Sequence, residues 1–193
     1  MRQIVKTFIT NLTILLLSSA AISTAIAEQS GGRMQQLARS MLTDIDQANW
    51  ISEGKSSHVV YIFFDPNCPY CHKLYLGTRQ WVQQGKLEVR WIPTGTLMTT
   101  SHGKAIAMLG ADDPLQAFYQ NEEHYSRSSG GGIDEDLSTP ELEKKLQANE
   151  SLLARTRLGA VPLMLYQNDK GEAMLVQGAP PKDRLTALLK HVK

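Results

Sequence analysis

A run of β-branched and aromatic residues, Val59-Val60-Tyr61-Ile62-Phe63-Phe64, leads through Asp65-Pro66-Asn67 into Cys68-Pro69-Tyr70-Cys71-His72. A continuous apolar run of this kind fits a central strand covered on both faces, because a half-exposed strand would alternate. Asp, Pro and Asn make a turn. Pro69 suits the first turn of a helix, where its missing N–H leaves no intrahelical bond unmade. The two cysteines are therefore predicted at a strand-to-helix junction. They are the only cysteines in the chain. A loop closed over two residues constrains too little chain to hold a fold together. Their reactivity, rather than a cross-link, is the expected role.

The first residues read as an export leader. Arg2 and Lys6 precede a mostly apolar stretch from Phe8 to Ile22, densest at Ile14-Leu15-Leu16-Leu17, and Ala25-Ile26-Ala27 has the small-x-small form of a cleavage site. Thr10, Asn11 and Thr13 interrupt the apolar stretch, which argues against a spanning helix. Residues 1–27 are expected to be a signal peptide cleaved after Ala27, which marks the protein for export. The formal charge is +1, and loss of Arg2 and Lys6 with the leader brings it to −1. That balance excludes a nucleic-acid footprint or a polybasic membrane patch. Exported compartments permit disulfides.

Residues 28–57 are expected to form a polar tail and a linker helix, with Leu37, Ala38, Met41, Ile45 and Ala48 on one face of a helix from Met34 to Asn49. A polar turn follows through Glu53, Gly54, Lys55, Ser56 and Ser57. After Val59–Phe64, a helix from Cys68 to Gln84 stops at Gly85, and Leu87–Ile92 alternates as a strand ended by Pro93. This order gives a right-handed parallel βαβ unit. Residues 95–158 read as helical. The helices run from His102 to Leu109, from Pro114 to His124, and from a start at Ser138-Thr139-Pro140-Glu141 through to Leu158, with Ser128–Gly132 as a flexible loop. Pro162–Tyr166 and Ala173–Gln177 flank an Asn168-Asp169-Lys170-Gly171 hairpin turn, and a helix from Lys182 to Val192 closes the chain. The predicted fold class is α/β, a thioredoxin-like fold over residues 58–193 with a helical insertion at about 95–158.

A thiolate, not a thiol, attacks disulfides. At the helix start, unpaired N–H groups and the helix dipole favour negative charge on Cys68. Cys68 is thus the expected exposed nucleophile, and Cys71, one turn further in and more shielded, the resolving thiol. Pro69, Tyr70 and His72 are expected to modulate the pair, His72 through a positive charge beside it, although a solvated first-turn residue fits His72 as well. A stabilised thiolate would make the oxidised pair a fairly strong oxidant. The same residues fit other readings. Cys68-Pro69-Tyr70-Cys71-His72 is also the attachment pattern of c-type haem, which would make the protein an electron carrier. Zinc would need two further ligands, and His58, His102, His124 and His191 lack ligand spacing. Val161-Pro162 is a candidate cis peptide, although an ordinary trans proline at a strand start fits as well.

With these features in place, the chain resembles the DsbC/DsbG family of periplasmic thiol:disulfide interchange proteins, and is DsbG-like within it. The resemblance runs from about Met34 to the C-terminus. It is carried by Phe64-Asp65-Pro66-Asn67-Cys68-Pro69-Tyr70-Cys71, by Trp81-Val82-Gln83-Gln84-Gly85-Lys86, and by Gly159-Ala160-Val161-Pro162. It implies a protein disulfide oxidoreductase of reductase or isomerase type, acting on cysteines of exported proteins with no cofactor beyond the Cys68–Cys71 disulfide. It implies a cis Pro162 facing Cys68, substrate pairing at Val161, and a DsbD-like membrane reductase as electron partner. Two departures matter. The family's N-terminal dimerisation domain has no counterpart ahead of the linker helix, so a monomer is expected. Val161 stands where the family usually has Thr, as in DsbA-like oxidases served by a DsbB-like partner, which leaves the direction of electron flow open. A chaperone that uses an apolar cleft without turnover is a further reading.

Overall fold

The structure, a computed structural model, describes residues 32–193; the leader, the cleavage site after Ala27 and the tail up to residue 31 lie outside the described residues. The chain divides into two units, residues 1–36 and 37–193. In the first, residues 32–36 are helical. In the second, helix α1 (residues 37–43) ends at residue 43, earlier than the spacing predicts. Asp44 leaves helical geometry with φ −101° and ψ 7°, and a short 3-10 helix, Ile45–Gln47, completes the turn.

The sheet consists of β1 (Ile51–Glu53), β2 (Val59–Phe64), β3 (Glu88–Pro93), β4 (Leu163–Gln167) and β5 (Ala173–Gln177), in the order β1-β3-β2-β4-β5. β2 and β3 run parallel, and the other pairs are antiparallel. Helix α2 (Pro69–Gln83) makes the crossover between β2 and β3. Helices α3 (Ser101–Gly110), α4 (Pro114–Glu123) and α5 (Pro140–Ala154) form the insertion, and α6 (Lys182–Leu189) follows β5.

The continuous apolar run of β2 is central, as its composition requires. Val60, Ile62 and Phe64 enter one core with Leu74, Trp91, Phe118, Met164 and Leu185. Phe63 enters the other with Met41, Ile92, Leu152, Leu163 and Leu165. Period-two alternation thus feeds both faces, and each such side chain, fully buried, contributes about 1.5–3 kcal/mol.

Three further features differ from expectation. β1 has no counterpart in the expected elements, and its last residue, Glu53, falls at the start of the expected polar turn. Glu53 is fully buried, because its carboxylate pairs with Arg79 and accepts from Trp91 Nε1 at 2.9 Å. Helix α5 stops at Ala154 and α6 at Leu189, short of Leu158 and Val192. Val192 instead bridges to Asn168. The Ser128–Gly132 loop is tightly packed at its glycines. A Cβ on Gly130 (φ 76°) would overlap Asn67, and one on Gly131 would fall on Asn121 and within 2.5 Å of Pro66 O. These glycines permit close approach to the turn before Cys68 rather than looseness.

Candidate functional site

The turn after β2 is built around Asp65. Its Oδ1 accepts from Asn67 N at 2.9 Å and Ser101 Oγ at 2.7 Å. Its Oδ2 accepts from Thr96 N at 3.1 Å and Leu97 N at 2.9 Å. The carboxylate therefore ties the end of β2 to the loop after β3 and the start of α3. Asn67 extends the network. Its Nδ2 donates to Thr100 Oγ1 and Ser101 Oγ, and its Oδ1 accepts from the buried Lys104 Nζ at 3.0 Å. Lys104 also donates to Gly131 O at 2.6 Å, so the ammonium is satisfied by oxygens of the glycine loop. With the turn fixed, Cys68 N donates to Asp65 O at 3.0 Å and Cys68 becomes the N-cap of α2, with Pro69 at the first helical position.

As N-cap, Cys68 Sγ accepts from Cys71 N at 3.4 Å. Cys68 is only 4% exposed and Cys71 1%. The expected exposed nucleophile is thus recessed: Cys68 belongs to the buried core, with Val161 packed against it. The two sulfurs differ in charge preference more than in exposure. Cys68 is drawn down from its ordinary 9.0 to about 7, first by the hydrogen bond from the Cys71 thiol, then, against the cost of burial, by the N–H groups of Cys71 and Tyr70. Cys71 is pushed well above 9.0, chiefly by burial and by holding its proton toward Cys68. One sulfur is poised as thiolate and the other kept as thiol.

The Val161–Pro162 peptide is cis. The Cys68 thiol faces Val161 O at 3.7 Å, so the segment before β4 forms the wall opposite the helix start.

His72 points elsewhere than expected. Its Nδ1 lies 2.9 Å from Glu122 Oε2, and its ring stacks on Tyr125 with centroids 4.3 Å apart. The groups that lower Cys68 are N–H donors and the Cys71 thiol, not the imidazole. Glu122, 2% exposed, is pushed up by burial and drawn partly back by His72 and by Asn121 Nδ2. Tyr125 OH donates to Asn67 O at 3.4 Å, which joins this pair to the Asp65 network. Spacing in the sequence gives no sign of Ser101, Lys104, Glu122 or Tyr125, since all come from the insertion, tens of residues from the cysteines. Haem attachment would require bonds to both sulfurs, and Cys71 is sealed in the core with Leu74, Phe118 and Leu185. Among the described residues no helix is long and apolar enough to cross a membrane.

A consequence for rate follows from the Cys68 value. The rate of thiol attack should rise about tenfold per pH unit below 7, pass half-maximum near pH 7 and level off above it, because the deprotonated sulfur is the reactive form. Iodoacetamide alkylation of the reduced protein from pH 5 to 9 measures this. A midpoint near 9 would show that the helix start does not stabilise the thiolate.

The comparisons with known proteins agree with this geometry. The chain is 33% identical over 155 residues to the thiol:disulfide interchange protein DsbG of Pseudomonas aeruginosa, an alignment covering 79% of this chain and 60% of that protein. It is 29% identical over 157 residues to the Escherichia coli protein of the same name, covering 78% and 61%. The chain thus matches about three fifths of the length of these relatives. Among solved structures, a linker-deletion variant of Proteus mirabilis ScsC superposes with a TM-score of 0.68 at 17% identity, over 94% of this chain and 92% of that one, a likeness of fold. The β1-β3-β2-β4-β5 sheet with α2 crossing from β2 to β3 accords with that likeness of fold. The family described as thioredoxin-like domain matches residues 45–193, and the chain belongs to it.

Proposed function

We propose that the protein is a periplasmic thiol:disulfide oxidoreductase of the DsbG-like reductase or isomerase type, acting on cysteines of exported proteins. The observation that carries this reading is the unequal pair: Cys68 drawn down to about 7 at the N-cap of α2, Cys71 held protonated behind it. In the forward reaction the Cys68 thiolate attacks a substrate disulfide, forming a Cys68–substrate bond and releasing the other substrate sulfur as thiolate. Cys71 gives up its proton, which that leaving sulfur takes, and its sulfur attacks Cys68. A Cys68–Cys71 disulfide forms and the second substrate sulfur departs as thiolate, so two electrons pass to the substrate. Val161 supplies backbone at which an extended substrate segment pairs as an added strand, and Pro162 keeps that backbone against Cys68. Pro69 and Tyr70 shape the mouth of the site, and His72 anchors the first turn of α2 through Glu122. No cofactor beyond the cysteine pair takes part.

The same observation bears on direction. A value of about 7 for the attacking cysteine matches the thioredoxin range, whereas the strong oxidant DsbA has a value of about 3.5. Less thiolate stabilisation means a less oxidising pair. A DsbD-type membrane reductase would return electrons to Cys68–Cys71. The leader at residues 1–27, the tail and linker helix at 28–57 and the catalytic body at 58–193 belong to this proposal. Acid-trapping of thiols in growing cells tests it: the pair should be found mostly reduced. A pair found mostly as disulfide would instead assign the protein to the DsbA-like oxidases with a DsbB-type partner, for which Val161 in place of Thr is the supporting feature.

A further inference from the structure

Beside the cysteines lies an open groove of about 770 Å³. Its lining includes Pro69 and Tyr70, the two residues between the cysteines, so chain beside a cysteine bound at Cys68 comes within its reach. Its apolar lining includes Tyr70, Leu76, Leu97 and Met98, each between 48% and 62% exposed. These are four of the six large hydrophobic side chains exposed among the described residues, which sets the groove apart from ordinary scattered surface apolar residues. The charges of its lining have one sign. Lys73 and Arg127, both exposed and, among the described residues, neither in a salt bridge, border it, and no Asp or Glu of the described residues lines it. Glu122 lies behind His72, buried and already paired with it.

We infer that this groove selects the substrate: it receives a protein segment carrying an apolar side chain together with an aspartate or glutamate beside the reacting cysteine. The inference rests on the proposed exchange reaction and names the substrate class of that site. The apolar floor takes the aliphatic or aromatic side chain. The two cations meet the carboxylate at the rim, where an ion pair contributes more to partner choice and encounter rate than to binding strength. The groove on the other side of Tyr70, lined by Val161 and Gln177–Pro181, provides the backbone edge, so a segment crossing Tyr70 has its direction set by which side is apolar and acidic.

Symmetric disulfide dimers of two short peptides test this. Each peptide carries one leucine and one cysteine and differs only in an aspartate or a lysine between them. The reduced protein is mixed with each, and released peptide thiol is followed by quenched-flow chromatography. Hydroxyethyl disulfide, which is neutral and too small to fill the groove, reports the exchange chemistry of the unmodified protein. At low ionic strength the aspartate peptide should react about five-fold faster than the lysine peptide, the scale of one or two exposed ion pairs. The ratio should approach one above about 0.5 M salt as screening shortens the reach of the charges. In the double variant Lys73→Glu/Arg127→Glu the ratio should invert. Equal rates for the two peptides, or a ratio unmoved by the charge reversal, would overturn the inference while leaving the exchange reaction intact. No reaction with hydroxyethyl disulfide would instead overturn the proposed function and the inference with it.

Discussion

Cys68→Ser should lower disulfide exchange with insulin on the order of a thousand-fold or more, to the rate of buffer thiols alone. The hydroxyl cannot ionise near neutral pH and forms no sulfur–sulfur bond, so the first covalent step has no substitute. The fold should not suffer. Serine is a favoured N-cap, and its Oγ can take over the hydrogen bond that Cys68 Sγ accepts from Cys71 N. An unchanged thermal midpoint with lost activity would therefore assign the loss to chemistry. Cys71→Ser separates the two steps. It leaves Cys68 able to attack but removes the thiol that resolves the intermediate, so mixed disulfides with substrate should accumulate on non-reducing gels. It also replaces the thiol that most strongly lowers Cys68 with another donor, so Cys68 should remain below its ordinary 9.0. Insulin turbidity and gel mobility measure these outcomes. Full activity in Cys68→Ser would remove the basis for reading this chain as an oxidoreductase.

The contrast between what the sequence disclosed and what it concealed has a physical origin. Val59–Phe64 was legible as a central strand because burial on both faces demands an unbroken apolar run. The cysteine junction was legible because Asp-Pro-Asn and Cys-Pro act within a few residues of themselves. Glu53 was not, because a buried carboxylate looks like a surface one until Arg79 and Trp91, 26 and 38 residues away, are seen to pair with its Oε2. Gly130 and Gly131 read as looseness because composition cannot tell a glycine needed for freedom from one needed for close approach. Their role depends on Asn67 and Asn121 lying where a Cβ would be. His72 shows the same limit at the site. Adjacency to Cys71 invited an electrostatic role, but the helix turns its ring toward Glu122 and Tyr125, 50 and 53 residues further along. Local chemistry is written locally, whereas partners across the insertion are fixed only by the packing of α3 and α4 against the turn.

That packing depends on Asp65, and Asp65→Ala should destabilise the reduced protein by about 3 kcal/mol in urea. The substitution removes the acceptor of four donors at once. Thr96 N and Leu97 N belong to exposed residues and can turn to water, but Asn67 is 2% exposed and Ser101 is fully buried, so their groups lose a partner without gaining one. Asp65→Asn should cost less, about 2 kcal/mol, for a specific reason. Its carbonyl can serve only one of the two pairs of donors, leaving its amino group against the other pair. The second consequence has the opposite sign. The Asp65 charge raises Cys68, so its removal in Asp65→Asn should move the Cys68 titration below about 7 and increase the thiolate fraction at neutral pH. Thiolate absorbance near 240 nm follows that titration, and urea denaturation follows the stability. A loss of under about 1 kcal/mol in Asp65→Ala would mean that the turn before Cys68 is held by its backbone alone. A Cys68 titration that rose in Asp65→Asn would mean that the carboxylate acts on the sulfur by positioning the N–H donors of Tyr70 and Cys71 rather than through its charge.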